Sequence, residues 1–330
     1  MCSYNRVKGV NASDNRWLLT DLLRKKFGFT GLVVSDWGAV NDRVAGVAAG
    51  LDLEMPYVGP YHDNQIERAV ASGALSEADV DRCAARVVAL AEKAKGRETV
   101  PFDAAAHHAL AREAAAASAV LLKNDGNLLP LKEGARVAVL GAFARTPRYQ
   151  GAGSSKVKPL TLDSPYEELL RLGVDAEYAA GYDAAADAPD EALLDEACAL
   201  AQDKDAVLIY AGLPDRYESE GFDRSSLAMP LCQTELIRRA AAVNPNVAVV
   251  LACGSAVELG WAEGVRSILL TYLGGQAAGG AVADLVTGRA APCGKLAESW
   301  PLRLEDTPCH AYFPGYTRTV EYRESVFVGY

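Results

Sequence analysis

No apolar run of about 18 residues or more exists in this sequence, so it predicts no membrane-spanning helix. The charged start and apolar core of a signal peptide are also missing from its first residues. The 7 cysteines are odd in number and scattered, and none stands in C-x-x-C spacing, which disfavours a disulfide framework and a zinc site. Reduced thiols are typical of the cytoplasm, so we expect a cytoplasmic protein without a metal.

Long runs of one charge sign are absent, although the net charge is −10. Nucleic acids and anionic membranes are bound by basic patches, so neither partner is expected. Nucleotide fingerprints are missing as well. The glycine–serine segment 151–155 lacks the lysine placement of a P-loop, and the turn after 137–140 has no G-x-G-x-x-G. Half of the residues are hydrophobic, which is enough for the cores of about two domains.

The first part of the chain combines short strands with helices. Residues 1–56 predict a strand, a helix over 17–27, a strand over 31–36 and a short strand over 51–56. Residues 64–95 predict helical structure with a break at Gly73. The segment 96–104, which contains glycine and proline, is the predicted linker.

The second part alternates apolar strand-like runs with helices. An alanine-rich helix is predicted over 105–122, and further helices over 191–202 and 231–243. The strand-like runs lie at 137–140, 206–210, 247–251 and 268–272. Strands that alternate with helices predict a parallel sheet covered on both faces.

Residues 31–38 (Gly-Leu-Val-Val-Ser-Asp-Trp-Gly) carry the most specific local pattern. A short β-branched run that ends in an acid is typical of a buried parallel strand. Barrel enzymes place their reacting groups at the carboxyl ends of such strands, which makes Asp36 a candidate catalytic residue. Trp37 offers a flat apolar face beside it. The alternative is that Asp36 only caps the next helix.

Two further acidic segments follow in the second part. The loop 213–224 holds four acids and two arginines together with aromatic residues, after a predicted strand. Open α/β sheets bind ligands at the carboxyl ends of their strands, so this loop is a candidate site, and a solvated loop with internal ion pairs is the alternative. Residues 321–330 place Glu324 among aromatic residues.

Eight motifs, in the order in which they occur along the chain, together resemble the family 3 glycoside hydrolases of the β-glucosidase type. They lie at residues 1–10, 32–37, 49–56, 121–131, 151–159, 220–224, 294–301 and 322–330. The resemblance implies the end of a (β/α)8-type barrel (1–95), the linker (96–104) and an α/β sandwich with a mostly parallel sheet (105–330).

The resemblance also implies roles for five residues. Asp36 matches the nucleophile, and Glu324, in a Tyr-x-Glu motif ahead of Val-Gly-Tyr, matches the acid/base of the bacterial branch. Glu220 is the alternative acid/base and otherwise a substrate-binding residue. Trp37 would stack on the sugar ring, and Tyr4 would hydrogen-bond near the nucleophile. The implied reaction is the retaining hydrolysis of small oligosaccharides or aryl β-glycosides without a cofactor.

The match begins at the sixth barrel strand of the family, so about five strands and their sugar-binding residues have no counterpart. A few strands cannot close a barrel. We therefore expect the chain to hydrolyse glycosides weakly or not at all unless the missing strands are supplied. The competing hypotheses are a non-catalytic α/β fragment that binds carbohydrate or packs against a partner, and a nucleotide-binding protein. Glucose is the expected sugar, with xylose, galactose and N-acetylglucosamine left open.

Overall fold

The computed structural model describes residues 2–315 and 320–329 of the chain. The chain divides into two compact units, Met1–Pro101 (unit 1) and Phe102–Tyr330 (unit 2). Across the described stretches, no helix combines the length and the apolar character needed to cross a membrane.

Helices dominate unit 1. The short 3-10 helix Ala12–Asp14 comes first. The next, Trp17–Lys26, is a π-helix, at the end of which the Phe27 N–H donates to the Leu22 carbonyl five residues back (3.0 Å). The prediction of a helix over 17–27 is confirmed, although apolar spacing did not reveal its wider π geometry. Three α-helices follow: α1 (Arg43–Ala49), α2 (Pro60–Ala71) and α3 (Glu77–Glu92). Gly73, at the predicted break, separates α2 from α3 with a φ of 78°.

The strand predicted over 31–36 is present only as an extended segment with one parallel bridge on each side. Ser35 bridges to Cys2, and Val34 bridges to Leu53. The Cys2 N–H donates to the Val34 carbonyl (3.0 Å), and the Ser35 N–H donates to the Leu53 carbonyl (2.9 Å). Parallel pairs are the less stable kind and occur mainly in sheets with both faces covered, so three neighbouring segments sustain only this short pairing.

An antiparallel hairpin precedes the π-helix. Strand β1 (Arg6–Val7) pairs with β2 (Val10–Asn11) around Lys8 and Gly9, whose φ angles are 53° and 82°. Two positive φ angles are typical of the tight turns that join twisted strands. Unit 1 also buries two small apolar clusters. They contain Cys2, Leu19, Val33, Ala49 and Leu51 in one case, and Val47, Ala69, Leu75 and Cys83 in the other.

Two arginines hold the buried carboxylate of Asp52 in unit 1. Arg24 lies 2.7 Å from Oδ2, and Arg86 lies 2.7 Å from Oδ1. The Val33 N–H also donates to Oδ2 (2.8 Å). The Asp52 side chain has no exposed surface. These bonds join the π-helix, α3 and the extended segment 31–36 around one group.

We expect Asp52→Asn to destabilise unit 1 by about 3–5 kcal/mol, because removing one partner of a buried ion pair leaves the other charges uncompensated. Urea unfolding followed by circular dichroism and tryptophan fluorescence measures the change. Asp21→Asn is the matched control, since Asp21 and its partner Lys25 are both largely exposed and such pairs contribute about 1 kcal/mol or less. Equal stability of the two variants would contradict this role for Asp52.

A six-stranded sheet forms the centre of unit 2. Its strands are β3 (Val120–Asn124), β4 (Arg136–Leu140), β5 (Asp175–Ala179), β6 (Ala206–Gly212), β7 (Val247–Ala252) and β8 (Ser267–Leu270). Their order across the sheet is β3-β8-β7-β6-β4-β5. All neighbours are parallel except β3 and β8, which are antiparallel. The predicted α/β class with a mostly parallel sheet is confirmed.

The four apolar runs predicted as strands correspond to β4, β6, β7 and β8. The predicted end of the alanine-rich helix is wrong, because that helix stops at Ser118 and Val120 begins β3. Strand β5 was not predicted. It pairs only with β4 at the edge of the sheet, so polar residues such as Asp175 and Glu177 are tolerated and no continuous apolar run marks it.

Helices cover both faces of this sheet. They are α4 (Ala104–Ser118), α5 (Pro165–Arg171), α6 (Glu191–Gln202), α7 (Leu231–Val243) and α8 (Ala278–Val286). On one face α6 and α7, which match two predicted helices, bury Leu194 and Leu236. On the other face α4, α5 and α8 bury Ala116, Leu169 and Val282. The two apolar clusters hold the sheet between two helical layers.

Two glycines let the strands of unit 2 approach the neighbouring backbone at their carboxyl ends. Gly141 follows β4 with a φ of 105°, and Gly212 ends β6 with a φ of 152°. A Cβ on Gly141 would lie 2.2 Å from the Tyr210 carbonyl oxygen, and one on Gly212 would lie 1.8 Å from the Ala252 carbonyl oxygen. A side chain fits at neither position, so the loops that follow begin from a fixed geometry.

Candidate active site

Asp36 lies at the carboxyl end of the extended segment in unit 1 and is half-buried. Its backbone N–H donates to the Cys2 carbonyl (3.2 Å), which fixes the main chain. Its Oδ1 accepts the N–H of Trp37 (2.7 Å). Residues 2–315 and 320–329 supply no hydrogen bond to its Oδ2. The carboxylate is therefore oriented through one oxygen and leaves the other available to a ligand.

Ser35 ties the Asp36 segment to its neighbour. Its side chain is buried, and Oγ accepts the Met55 N–H (2.8 Å) and donates to the Met55 carbonyl (3.2 Å). The Gly38 N–H donates to the same carbonyl (3.1 Å). The residues on both sides of Asp36 are thus bonded to Met55, Ser35 through its side chain and Gly38 through its backbone N–H.

Two aromatic side chains flank Asp36. Trp37 is 55% exposed, and Tyr4 is 61% exposed. The Tyr4 hydroxyl donates to the Trp37 carbonyl (2.9 Å). The structure thus brings Tyr4, Asp36 and Trp37 together. The hydrogen bond described for Tyr4 goes to the backbone carbonyl of Trp37, the residue that follows Asp36.

A second acid follows the neighbouring segment. Both oxygens of Glu54 lie 2.8 Å from Nδ1 of His62, and Nε of Arg43 lies 3.6 Å from Glu54 Oε2. Glu54 lies in the segment 51–56 that was predicted as a short strand, but the sequence did not indicate its partners. His62 was missed because it lies eight residues further on, in α2, and only the fold brings it to Glu54.

The acidic loop 213–224 of unit 2 uses its carboxylates to hold other loops. Glu218 accepts the Gly254 N–H (2.9 Å) and the Ser255 hydroxyl (2.7 Å). Glu220 accepts the Ser154 N–H (2.5 Å). Both acids therefore join the loop after β6 to loops elsewhere at the same edge of the sheet.

Arg148 and Lys156 complete this network. The buried Arg148 donates to the Leu213 carbonyl (2.9 Å) and the Glu218 carbonyl (3.0 Å) and pairs with Asp215 (2.7 Å). Burial alone would raise the pKa of Asp215, but the hydrogen bond from Lys156 and the charge of Arg148 outweigh it and lower that pKa. The loop is thus held by ion pairs to residues outside it.

Glu324 begins the short 3-10 turn Ser325–Phe327, and its carbonyl accepts the Phe327 N–H (3.0 Å). Its Oε2 is buried and has no hydrogen-bond partner within the described part of the chain. The aromatic side chains on either side of Glu324 are exposed to solvent, Tyr322 by 80% and Phe327 by 66%. Tyr330, the last residue of the motif, lies outside the described residues.

The five predicted site residues are divided between the units: Tyr4, Asp36 and Trp37 in unit 1, and Glu220 and Glu324 in unit 2. Within the described ranges, no group of three or more histidine, cysteine, aspartate or glutamate side chains is arranged to hold a metal ion.

Two family models match the chain. The model of the glycosyl hydrolase family 3 N terminal domain matches residues 1–90, and that of the glycosyl hydrolase family 3 C-terminal domain matches residues 119–330. The chain belongs to glycosyl hydrolase family 3. The resemblance stated from the motifs is confirmed, and the six-stranded sheet of unit 2 lies within the C-terminal family 3 match.

Named relatives support the β-glucosidase type within family 3. Thermostable beta-glucosidase B of Acetivibrio thermocellus is 48% identical over 335 residues, covering 100% of this chain and 44% of the relative. The exo-alpha-(1->6)-L-arabinopyranosidase of Bifidobacterium breve is 45% identical, covering 100% of this chain and 45% of the relative. The crystal structure of a Bifidobacterium adolescentis GH3 beta-glucosidase superposes with a TM-score of 0.95 at 45% identity, over 100% of this chain and 49% of that one.

The family 3 chain therefore spans about half the length of the relatives that it matches. The expectation that it corresponds to a fragment of the longer family members is consistent with this coverage.

Proposed function

We propose that this chain carries machinery for hydrolysing terminal non-reducing β-D-glucosyl residues by a retaining double displacement. Asp36 is the proposed nucleophile, and Glu324 is the proposed acid/base. The observation that carries the proposal is the setting of Asp36, a half-buried carboxylate held through Oδ1 by the Trp37 N–H at the end of an extended segment. Barrel enzymes hold their reacting groups at this end of the strands.

The proposed reaction has two displacement steps. Asp36 attacks the anomeric carbon, the bond from that carbon to the glycosidic oxygen breaks, and Glu324 donates its proton to the departing oxygen. Water then attacks the same carbon, Glu324 accepts its proton, and the bond to Asp36 breaks. Retaining enzymes hold the two carboxyl groups about 5–5.5 Å apart, so the proposal requires that separation in the active protein.

Aromatic residues are proposed to position the sugar. Trp37 exposes more than half of its surface next to Asp36 and is proposed to stack on the sugar ring. Tyr4 holds the Trp37 carbonyl and is proposed to keep the Asp36–Trp37 backbone in place.

The hydrogen bonds favour Glu324 over Glu220 as the acid/base. The Glu220 carboxylate accepts the Ser154 N–H, so it is engaged in holding two loops together. The Oε2 of Glu324 has no such partner in the described residues. Glu220 is accordingly proposed to shape the substrate-binding loop rather than to transfer protons.

The substrates proposed are small oligosaccharides and aryl β-glycosides. Glucose is favoured by the β-glucosidase names among the relatives, while the arabinopyranosidase name makes α-L-arabinopyranosides a second sugar to assay. A cytoplasmic location is proposed because all 7 cysteines are free thiols. The net charge of −10 favours the absence of a nucleic-acid partner.

The second candidate function is a non-catalytic fragment that binds carbohydrate or packs against a partner chain. It is favoured by the coverage, since the chain matches only 44% of the length of the β-glucosidase relative. Trapping of the glycosyl-enzyme intermediate separates the two functions.

We expect the chain to gain the mass of one sugar when it is incubated with an activated 2-deoxy-2-fluoro-β-glucoside, because the fluorine slows release of a covalent intermediate more than its formation. Intact mass spectrometry measures the adduct, and peptide mapping should place it on Asp36. The Asp36→Ala chain is the control and should gain no mass. A folded chain without any adduct would favour the non-catalytic fragment.

A further inference from the structure

A small pocket of unit 1, which we call the arginine pocket, lies between the π-helix, α1 and α3. The charged side chains that line it are Arg16, Arg24, Asp79, Arg82 and Arg86. The pocket encloses about 80 Å³. One buried water needs only about 10–15 Å³, so the arginine pocket has room for a small ion.

The arginine pocket lies at the opposite end of the extended segment 31–36 from Asp36. Arg24 Nη1 donates to the Gly31 carbonyl (2.9 Å), where this segment begins. An extended chain advances about 3.3 Å per residue, so the two ends of the segment are roughly 16 Å apart. The pocket therefore has no part in the bond breaking proposed for Asp36.

Positive charge exceeds negative charge at the arginine pocket. Two of its four arginines pair with Asp52, and a third, Arg82, pairs with Asp79. The fourth, Arg16, forms no ion pair within the described residues, and its Nη1 donates to the Ala48 carbonyl (3.1 Å). Four guanidinium groups thus meet two carboxylates, which leaves two positive charges without a counterion.

A buried donor at the arginine pocket also lacks a partner. The Arg24 side chain is only 10% exposed, and its Nε is buried without a hydrogen-bond partner in the part of the chain that the structure describes. Gly50 leaves the space beside it open, because a Cβ there would lie 3.4 Å from Arg24 Nε and 3.0 Å from Thr20 Oγ1. Burial raises the pKa of the Cys83 thiol to about 11, so this neighbouring group adds no negative charge. An unpaired buried donor costs free energy, which an anionic acceptor would offset.

We propose that the arginine pocket binds a phosphate group, either as the free anion or as the phosphoryl end of a small ester. Planar guanidinium groups can donate two parallel hydrogen bonds to phosphate oxygens, and arginine is favoured for their recognition. The two positive charges left over match the nearly two negative charges of a phosphate group at neutral pH. Bound phosphate would join the π-helix, α1 and α3 and stabilise unit 1. This inference is independent of the proposed hydrolysis.

Isothermal titration calorimetry with inorganic phosphate and with phenyl phosphate, at about pH 8 and matched ionic strength, tests the arginine pocket. We expect one phosphate to bind per chain. Arg16→Gln and Arg82→Gln should each weaken binding about ten- to hundredfold, the contribution of a hydrogen bond to a charged group. Both side chains are exposed and neither holds Asp52, so circular dichroism should show an unchanged fold. Equal binding of phenyl phosphate would assign the site to phosphate esters, and binding of inorganic phosphate alone would assign it to the free anion.

Two further variants give the test a sign and a control. Asp79→Asn removes a competing negative charge and should tighten phosphate binding, by up to about fivefold for a partly screened charge. Arg68→Gln removes an exposed arginine of α2 outside the pocket and should keep the parent Kd. Absence of binding by both phosphates would overturn the proposal. An unchanged Kd in Arg16→Gln and Arg82→Gln, or equal weakening by Arg68→Gln, would do so as well.

Discussion

Replacing Asp36 with glycine is expected to lower kcat for 4-nitrophenyl β-D-glucoside by a factor on the order of 10⁶, the scale on which loss of a covalent nucleophile acts. Without the carboxylate, no group on the chain attacks the anomeric carbon from the position that the Trp37 N–H fixes. Sodium azide should restore turnover, because the small anion fits the space left by the side chain. The product should be an α-glucosyl azide, since a single displacement inverts the configuration.

The rate is measured from release of 4-nitrophenol and the product configuration by proton NMR. Asp21→Gly is the control, since Asp21 is an exposed acid of the same unit whose side chain pairs with Lys25. It should retain the parent rate and gain nothing from azide. An Asp36→Gly chain that keeps the parent rate, or that yields the β-azide, would contradict Asp36 as the nucleophile.

Replacing Glu324 with glutamine should lower kcat/KM by an amount that depends on the leaving group of the substrate. For methyl β-D-glucoside, whose leaving group requires a proton, kcat/KM should fall by about 10²–10⁴, the contribution of a positioned general acid. For 2,4-dinitrophenyl β-D-glucoside, which loses a stable anion, kcat/KM should fall by less than about tenfold. Steady-state kinetics with both substrates measures the contrast.

Glu220→Gln is the matched test of the other candidate acid. Its amide oxygen still accepts the Ser154 N–H, so the loop should remain closed and both substrates should keep the parent kcat/KM to within about tenfold. The leaving-group contrast in Glu220→Gln, with none in Glu324→Gln, would assign the acid/base to Glu220.

The sequence predicted the class of the fold well because unit 2 follows simple patterns. β6 is buried at all 7 of its residues and reads as one continuous apolar run, as a central parallel strand does. Elements at the margins were harder to recognise. β5 is an edge strand with charged residues, and the π-helix Trp17–Lys26 has the same apolar spacing as an ordinary helix.

Candidate site residues that belong to a sequence motif could be predicted. The hydrogen-bond partners that hold those residues in place could not. Asp36 and Trp37 stand next to each other in the sequence, so the motif located both. The pairing of Ser35 with Met55 and of Glu54 with His62 depends on folding and leaves no local pattern. Likewise, the sequence placed Glu218 and Glu220 in an acidic loop, but only the structure assigns their carboxylates to loop closure.

The division of the site residues between two separately packed units has a consequence for how the family can diversify. Asp36 depends on Cys2, Ser35 and Met55, all in unit 1, whereas Glu220 and Glu324 stand on different loops of unit 2. A change of the proposed proton donor from one of these loops to the other would therefore leave the bonds that orient Asp36, the proposed nucleophile, in place. Two chains of this architecture could in this way share the proposed nucleophile and differ in the loop that supplies the proposed proton donor.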